Sequence, residues 1–113
     1  MRESKIEKYL KDECEKRNIL CYKFVSPAHN GVPDRILIGN GVVVFVETKA
    51  PGEVPRKLQE FQHKRIKSHG IDTYVLDTTE KVDDFFLTTN PFKSKHTQKS
   101  GKITPIDAIL KKG

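Results

Sequence analysis

With 113 residues, the chain can build one domain around a modest core and is too short for two. Hydrophobic residues make up 35% and charged residues 32%, no apolar run approaches a membrane span, and the charged start Met1-Arg2-Glu3-Ser4-Lys5 lacks the apolar centre of a signal segment. The expectation is an intracellular protein, cytoplasmic and of phage or bacterial type, with no membrane partner. The net charge of +6 is unevenly spread: residues 1–90 carry 15 Lys and Arg against 14 Asp and Glu, while residues 91–113 carry 6 against 1.

From Glu3 to about Arg17, Ile6, Tyr9, Leu10 and Cys14 recur at helical spacing, which predicts an amphipathic first helix. Glu7 lies beside that apolar stripe, so it either looks inward over a sheet edge or pairs with Lys11 one turn on. Cys14 and Cys21 have no Cys-x-x-Cys spacing, which argues against zinc or a disulfide framework and reads as two buried thiols. Leu20 to Val25 is strand-like, and the turn-forming loop Ser26-Pro27-Ala28-His29-Asn30-Gly31 follows it. Lys23 and Ser26 are candidates for contact with a nucleic-acid backbone. His29 is a candidate phosphate contact, with a solvent-exposed loop histidine as the commoner outcome.

Asn40-Gly41, flanked by apolar alternation, is the strongest short-range signal for a two-residue hairpin turn. Such a turn sets Gly39 opposite Val42, Ile38 opposite Val43, Ile36 opposite Phe45, and Asp34 opposite Glu47. Side chains alternate along a strand, so Lys49 is expected on the face of Glu47 and Asp34, with Thr48 pointing away. Two facing carboxylates beside apolar strands repel and lose solvation, a conflict that a divalent cation removes. Asp34, Glu47 and the Thr48 carbonyl with waters make a hard oxygen site suited to magnesium or manganese, where Lys49 serves the attacking water in phosphodiester hydrolysis.

After the break at Pro51-Gly52-Glu53-Val54-Pro55, a helix is predicted from about Arg56 to His69, with Leu58, Phe61, Arg65 and Ile66 as its inner stripe and Gly70 as its stop. Gln59 opens that helix near the end of the Glu47 strand, where its amide is placed to hold water or a phosphate oxygen. Gln62 is its rival. Arg56, Lys57 and Lys64 on the same helix, with Arg35, extend the candidate backbone contacts. Residues 72–77 read as a strand parallel to the Glu47 strand, reached by the helical crossover. A short helix follows Thr79. Residues 1–90 thus form the globular domain, and residues 91–113 a basic arm ending in a short amphipathic helix around Ile106, Ile109 and Leu110.

At Glu7, Gly31 with Pro33-Asp34, Glu47-Thr48-Lys49 and Gln59, the chain resembles the PD-(D/E)XK nucleases. Within them it looks like the virus-type replication-repair nuclease (VRR-NUC) domain, over about residues 3–86. The resemblance implies an α/β, restriction-endonuclease-like fold, a mixed sheet flanked by helices in the order α-β-β-β-α-β-α, plus the arm and last helix. It implies metal ligation by Asp34, Glu47, the Thr48 carbonyl and Glu7, and catalytic roles for Asp34, Glu47, Lys49, Gln59 and Glu7. It further implies a Mg2+-dependent DNA endonuclease in which Mn2+ substitutes, with no small-molecule cofactor. Such an enzyme acts in repair or recombination on branched DNA, flaps or Holliday junctions, as a homodimer. The competing expectation is a catalytically silent nuclease fold that binds DNA without cutting it.

Overall fold

Asn40 and Gly41 both take left-handed backbone angles, φ +48° and +78°, as a type I′ reversal demands of its two central residues. The turn joins β2 (Arg35–Gly39) to β3 (Val42–Thr48) in the expected register, with Gly39 opposite Val42, Ile38 opposite Val43, and Ile36 opposite Phe45. The ladder runs to Arg35 opposite Val46. A computed structural model describes residues 2–93, so the expected terminal helix and most of the expected basic arm lie outside the described residues.

The remaining elements are α1 (Glu3–Lys16), β1 (Leu20–Lys23), α2 (Lys57–Ser68), β4 (Thr73–Leu76) and α3 (Thr79–Asp84), the last running into a wider helical turn over Phe85–Thr89. The sheet order is β1-β2-β3-β4, with the first two pairings antiparallel and β3-β4 parallel across the α2 crossover. This is the mixed α/β sheet that the chain order led one to expect.

The two faces of the sheet differ. One carries Cys21, Leu37, Val44, Val46 and Leu76, and α1 and α3 close over it with Ile6, Leu10, Cys14, Val82, Phe85 and Phe86. The other carries Leu20, Tyr22 and Val43, which remain 48%, 56% and 36% exposed. The first half of β3 is therefore open on this side, because α2 lies toward β4 and the carboxyl end of β3. No residue of α2 is fully buried, and the predicted inner residues Leu58 and Phe61 are 49% and 51% exposed. Its better-covered line is Gln59, Gln62, His63 and Ile66 instead. The reason is local: the end of β3 presents Glu47 and Lys49 to this helix, and they require polar partners.

Past the expected boundary at residue 90, Phe92 is buried against Phe85, and its carbonyl accepts a 2.9 Å bond from Asn40 Nδ2. The packed body thus runs at least to Phe92.

Candidate active site

Three segments meet at the carboxyl end of β3. The first is the loop before β2, which brings Asp34. Gly31 in that loop has φ +88°, and a Cβ there would stand 2.8 Å from the Leu58 carbonyl oxygen. Only glycine lets the loop press so closely on the first turn of α2, which sets Asp34 and Gln59 around the same strand end. Asp34 Oδ2 accepts from the Thr48 N–H at 3.1 Å and lies 3.2 Å from Thr48 Oγ1. Thr48 therefore does not simply point away from Asp34: its backbone fixes the carboxylate, and its hydroxyl reaches round to it.

The second segment is β3 itself. Glu47 is 2% exposed, and Lys49 is 8% exposed. Glu47 Oε2 accepts from Gln59 Nε2 at 2.9 Å and stands 3.5 Å from Lys49 Nζ. Its other oxygen, Oε1, is buried with no hydrogen-bond partner among the described residues. Burial above all, then the neighbouring Asp34 charge, raises the Glu47 carboxyl to about 7, with Lys49 offsetting only part of this.

The third segment is the start of α2. Gln59 Oε1 accepts from Lys49 Nζ at 2.9 Å and from the Arg56 backbone N–H at 2.8 Å. A backbone N–H only donates, so that bond fixes which end of the amide is oxygen and leaves Nε2 to serve Glu47. Gln59, rather than its rival Gln62, thus ties the carboxylate and the lysine to the helix.

Two predicted members lie differently. Glu7 accepts from Arg35, with Nε and Nη2 each 3.1 Å from its Oε2. Arg35, expected to meet DNA, has a side chain only 11% exposed and spends its charge on this internal pair. One turn earlier on α1, Glu3 takes the place nearer the site. Its Oε2 lies 3.3 Å from Thr48 Oγ1, and burial followed by the Asp34 charge raises its pKa. Lys23, Arg56, Lys57 and Lys64 are exposed, while Ser26 is partly covered and its hydroxyl lies 2.9 Å from His29 Nδ1.

Sequence reading passed over two residues here, Glu3 and His63. Each sits one helical turn from a residue that was singled out, Glu7 and Gln59, and turn spacing is the signal that finds them. His63 Nε2 stands 3.8 Å from Glu47 Oε1, and burial first, then Lys49, lowers its pKa.

Among the described residues, no three His, Cys, Asp or Glu side chains already close on a common point. The donor set nevertheless fits a hard cation, because Glu47 Oε1 is buried beside a second carboxylate with no hydrogen-bond partner among these residues, and such ions complete their shells with backbone carbonyls and water.

A mixed sheet with Asp34 entering one strand of a hairpin, Glu47-Thr48-Lys49 leaving the other, and a helical glutamine over both defines a PD-(D/E)XK nuclease. No family model matches the chain. Over 81 residues it is 46% identical to "Putative nuclease p44" of Acyrthosiphon pisum secondary endosymbiont phage 1, an alignment covering 71% of this chain and 87% of that relative. A solved structure described as a VRR_NUC domain matches with a TM-score of 0.72 at 27% identity, covering 76% of this chain and 95% of that one. The chain belongs to the VRR-NUC family of nucleases.

Proposed function

We propose that the protein is a divalent-metal-dependent endonuclease that hydrolyses DNA phosphodiester bonds, with Mg2+ as its ion and Mn2+ able to replace it. The observation that carries this reading is Glu47 Oε1, a buried carboxylate oxygen beside Asp34 with no hydrogen-bond partner among the described residues. Asp34, Glu47 and the Thr48 carbonyl would hold the ion. Glu3 lies nearer to them than Glu7, which Arg35 engages. When bound, the ion supplies charge stabilisation at the phosphorus and lowers the pKa of water.

The chain's own groups supply the rest. Lys49, oriented by Gln59 at 2.9 Å, presents an ammonium that positions the attacking water and steadies developing charge on a phosphate oxygen. Gln59 keeps Lys49 and Glu47 at fixed spacing through two bonds from a single amide. Exposed Lys23, Arg56, Lys57 and Lys64 attract the phosphate backbone without reading bases, which suits selection of DNA by shape. Branched DNA, flaps or four-way junctions, is the substrate class this reading takes from the VRR-NUC resemblance. A homodimer pairs with it, since a symmetric junction offers two equivalent strands. The sheet face bearing Leu20, Tyr22 and Val43 supplies apolar surface for a second copy.

The deciding experiment compares cleavage of duplex, flap and four-way DNA with Mg2+, Mn2+ or EDTA, using Asp34→Asn as the blank. Metal-dependent cutting of branched substrates that Asp34→Asn lacks is the expected result. Tight DNA binding with no cutting under either metal would leave the silent-fold reading in its place.

A further inference from the structure

Among the described residues at this site, His63 is a largely covered polar side chain, 15% exposed, to which the reading above gives no work. It projects from α2 one turn beyond Gln59, on the same helix face, so the two side chains bracket Glu47. Gln59 takes Oε2 of that carboxylate. His63 Nε2 faces the other oxygen, Oε1, across 3.8 Å, and both atoms are buried and unpaired among the described residues. That distance exceeds a hydrogen bond, and each atom so orphaned has given up its hydration for nothing in return. Two donors sharing one ion at about 2.1 Å each stand roughly 3.0 Å apart when adjacent and roughly 4.2 Å when opposite, so the observed gap closes on a common cation with a side-chain shift of about 1 Å or less.

We propose that His63 Nε2 and Glu47 Oε1 are a donor pair for the same cation, and that this nitrogen tilts the site toward manganese over magnesium. The inference rests on the metal-dependent reading above and adds a nitrogen ligand to it. Manganese shares magnesium's taste for oxygen donors, but as the first member of the transition-metal affinity series it accepts an imidazole nitrogen more readily than magnesium, which gains little from one. Lys49 leaves the pair free, since its Nζ approaches Oε2 instead.

The test measures Mn2+ and Mg2+ binding calorimetrically, without DNA, to the full chain and to His63→Ala, His63→Gln, Asp34→Asn and Glu47→Gln, with circular dichroism to verify folding. Pulsed electron paramagnetic resonance of the Mn2+-loaded protein reads nitrogen coupling directly. The expected result is 14N coupling in the parent and its loss in both His63 variants, with Mn2+ affinity falling about tenfold or more and Mg2+ affinity falling far less. His63→Gln keeps a polar side chain of similar length and serves if the alanine variant does not fold. No nitrogen coupling in the parent, or equal loss for both metals, overturns the donor role of His63 even where Asp34→Asn and Glu47→Gln abolish binding. If those two carboxylate variants bind Mn2+ as well as the parent does, the metal-site reading itself falls, and this inference falls with it.

Discussion

Glu47 concentrates the conflict of the site in one side chain. Its carboxyl titrates at about 7 in the folded chain against an ordinary value of 4.5, so the folded state holds that proton more tightly than the unfolded state does. Stability contributed by the protonated form is complete below the unfolded value, declines as pH climbs from 4.5 to about 7, and is absent above. A gap of that size corresponds to roughly 3 kcal/mol. In EDTA, Glu47→Gln should therefore be more stable than the parent at pH 8 and similar to it at pH 4, by denaturant midpoint. His63, whose lowered pKa acts in the opposite sense, faces Glu47 at 3.8 Å, so the comparison reads the two groups together. Parallel pH profiles would remove the claim that Glu47 is buried under electrostatic stress. Asp34→Asn and Glu47→Gln should both lose cleavage at least a hundredfold while staying folded, whereas Leu37→Ala, fully buried between the helices and the sheet, should cost about 2–5 kcal/mol. A site variant as unstable as the core variant would assign its residue to architecture instead.

The elements meet at the site because of two backbone features, the reversal at Asn40-Gly41 and the close pass of Gly31 under α2. Gly31→Ala forces a β-carbon against the Leu58 carbonyl and into left-handed backbone, the latter alone costing about 1–2 kcal/mol. It should lower both stability and turnover, since relief comes by moving Asp34 away from Gln59. Full activity in that variant would mean that the glycine does not position the site. The hairpin is legible in the amino-acid sequence alone: an Asn-Gly pair and period-two alternation determine register through local sterics. The parallel β4 and its crossover are legible for the same kind of reason, chirality and length. The inward line of α2 is not, because apolar periodicity assumes that a helix faces a greasy core. Here Gln59 and His63 turn toward Glu47 and Lys49, while Leu58 and Phe61 stay half exposed. Nor does spacing distinguish Glu3 from Glu7. The choice depends on Arg35, which is distant in sequence, buried, and paired with the latter.

At the scale of the molecule, charge and exposed surface set the partners. Lys57 and Lys64 lie two turns apart on α2 and are exposed beside the site. Replacing both with Glu should weaken DNA binding across sequences and reduce the slope of log affinity against log salt by about 1 for each phosphate no longer neutralised. An unchanged slope would place the DNA elsewhere. The open sheet face sets a second expectation: Tyr22→Glu with Val43→Glu should convert the proposed dimer to a monomer in a solution mass measurement. A parent that is already monomeric would exclude that interface. Among the described residues, no helix is long and apolar enough to cross a membrane.

The bond from the Arg56 amide to Gln59 Oε1, an oxygen that also holds the Lys49 ammonium, makes one proton a reporter for two events. Fraying of the first α2 turn and release of the lysine draw on the same acceptor. Deuterium uptake at residue 56 would accordingly register how often the reactive arrangement comes apart, in a protein that need never meet DNA.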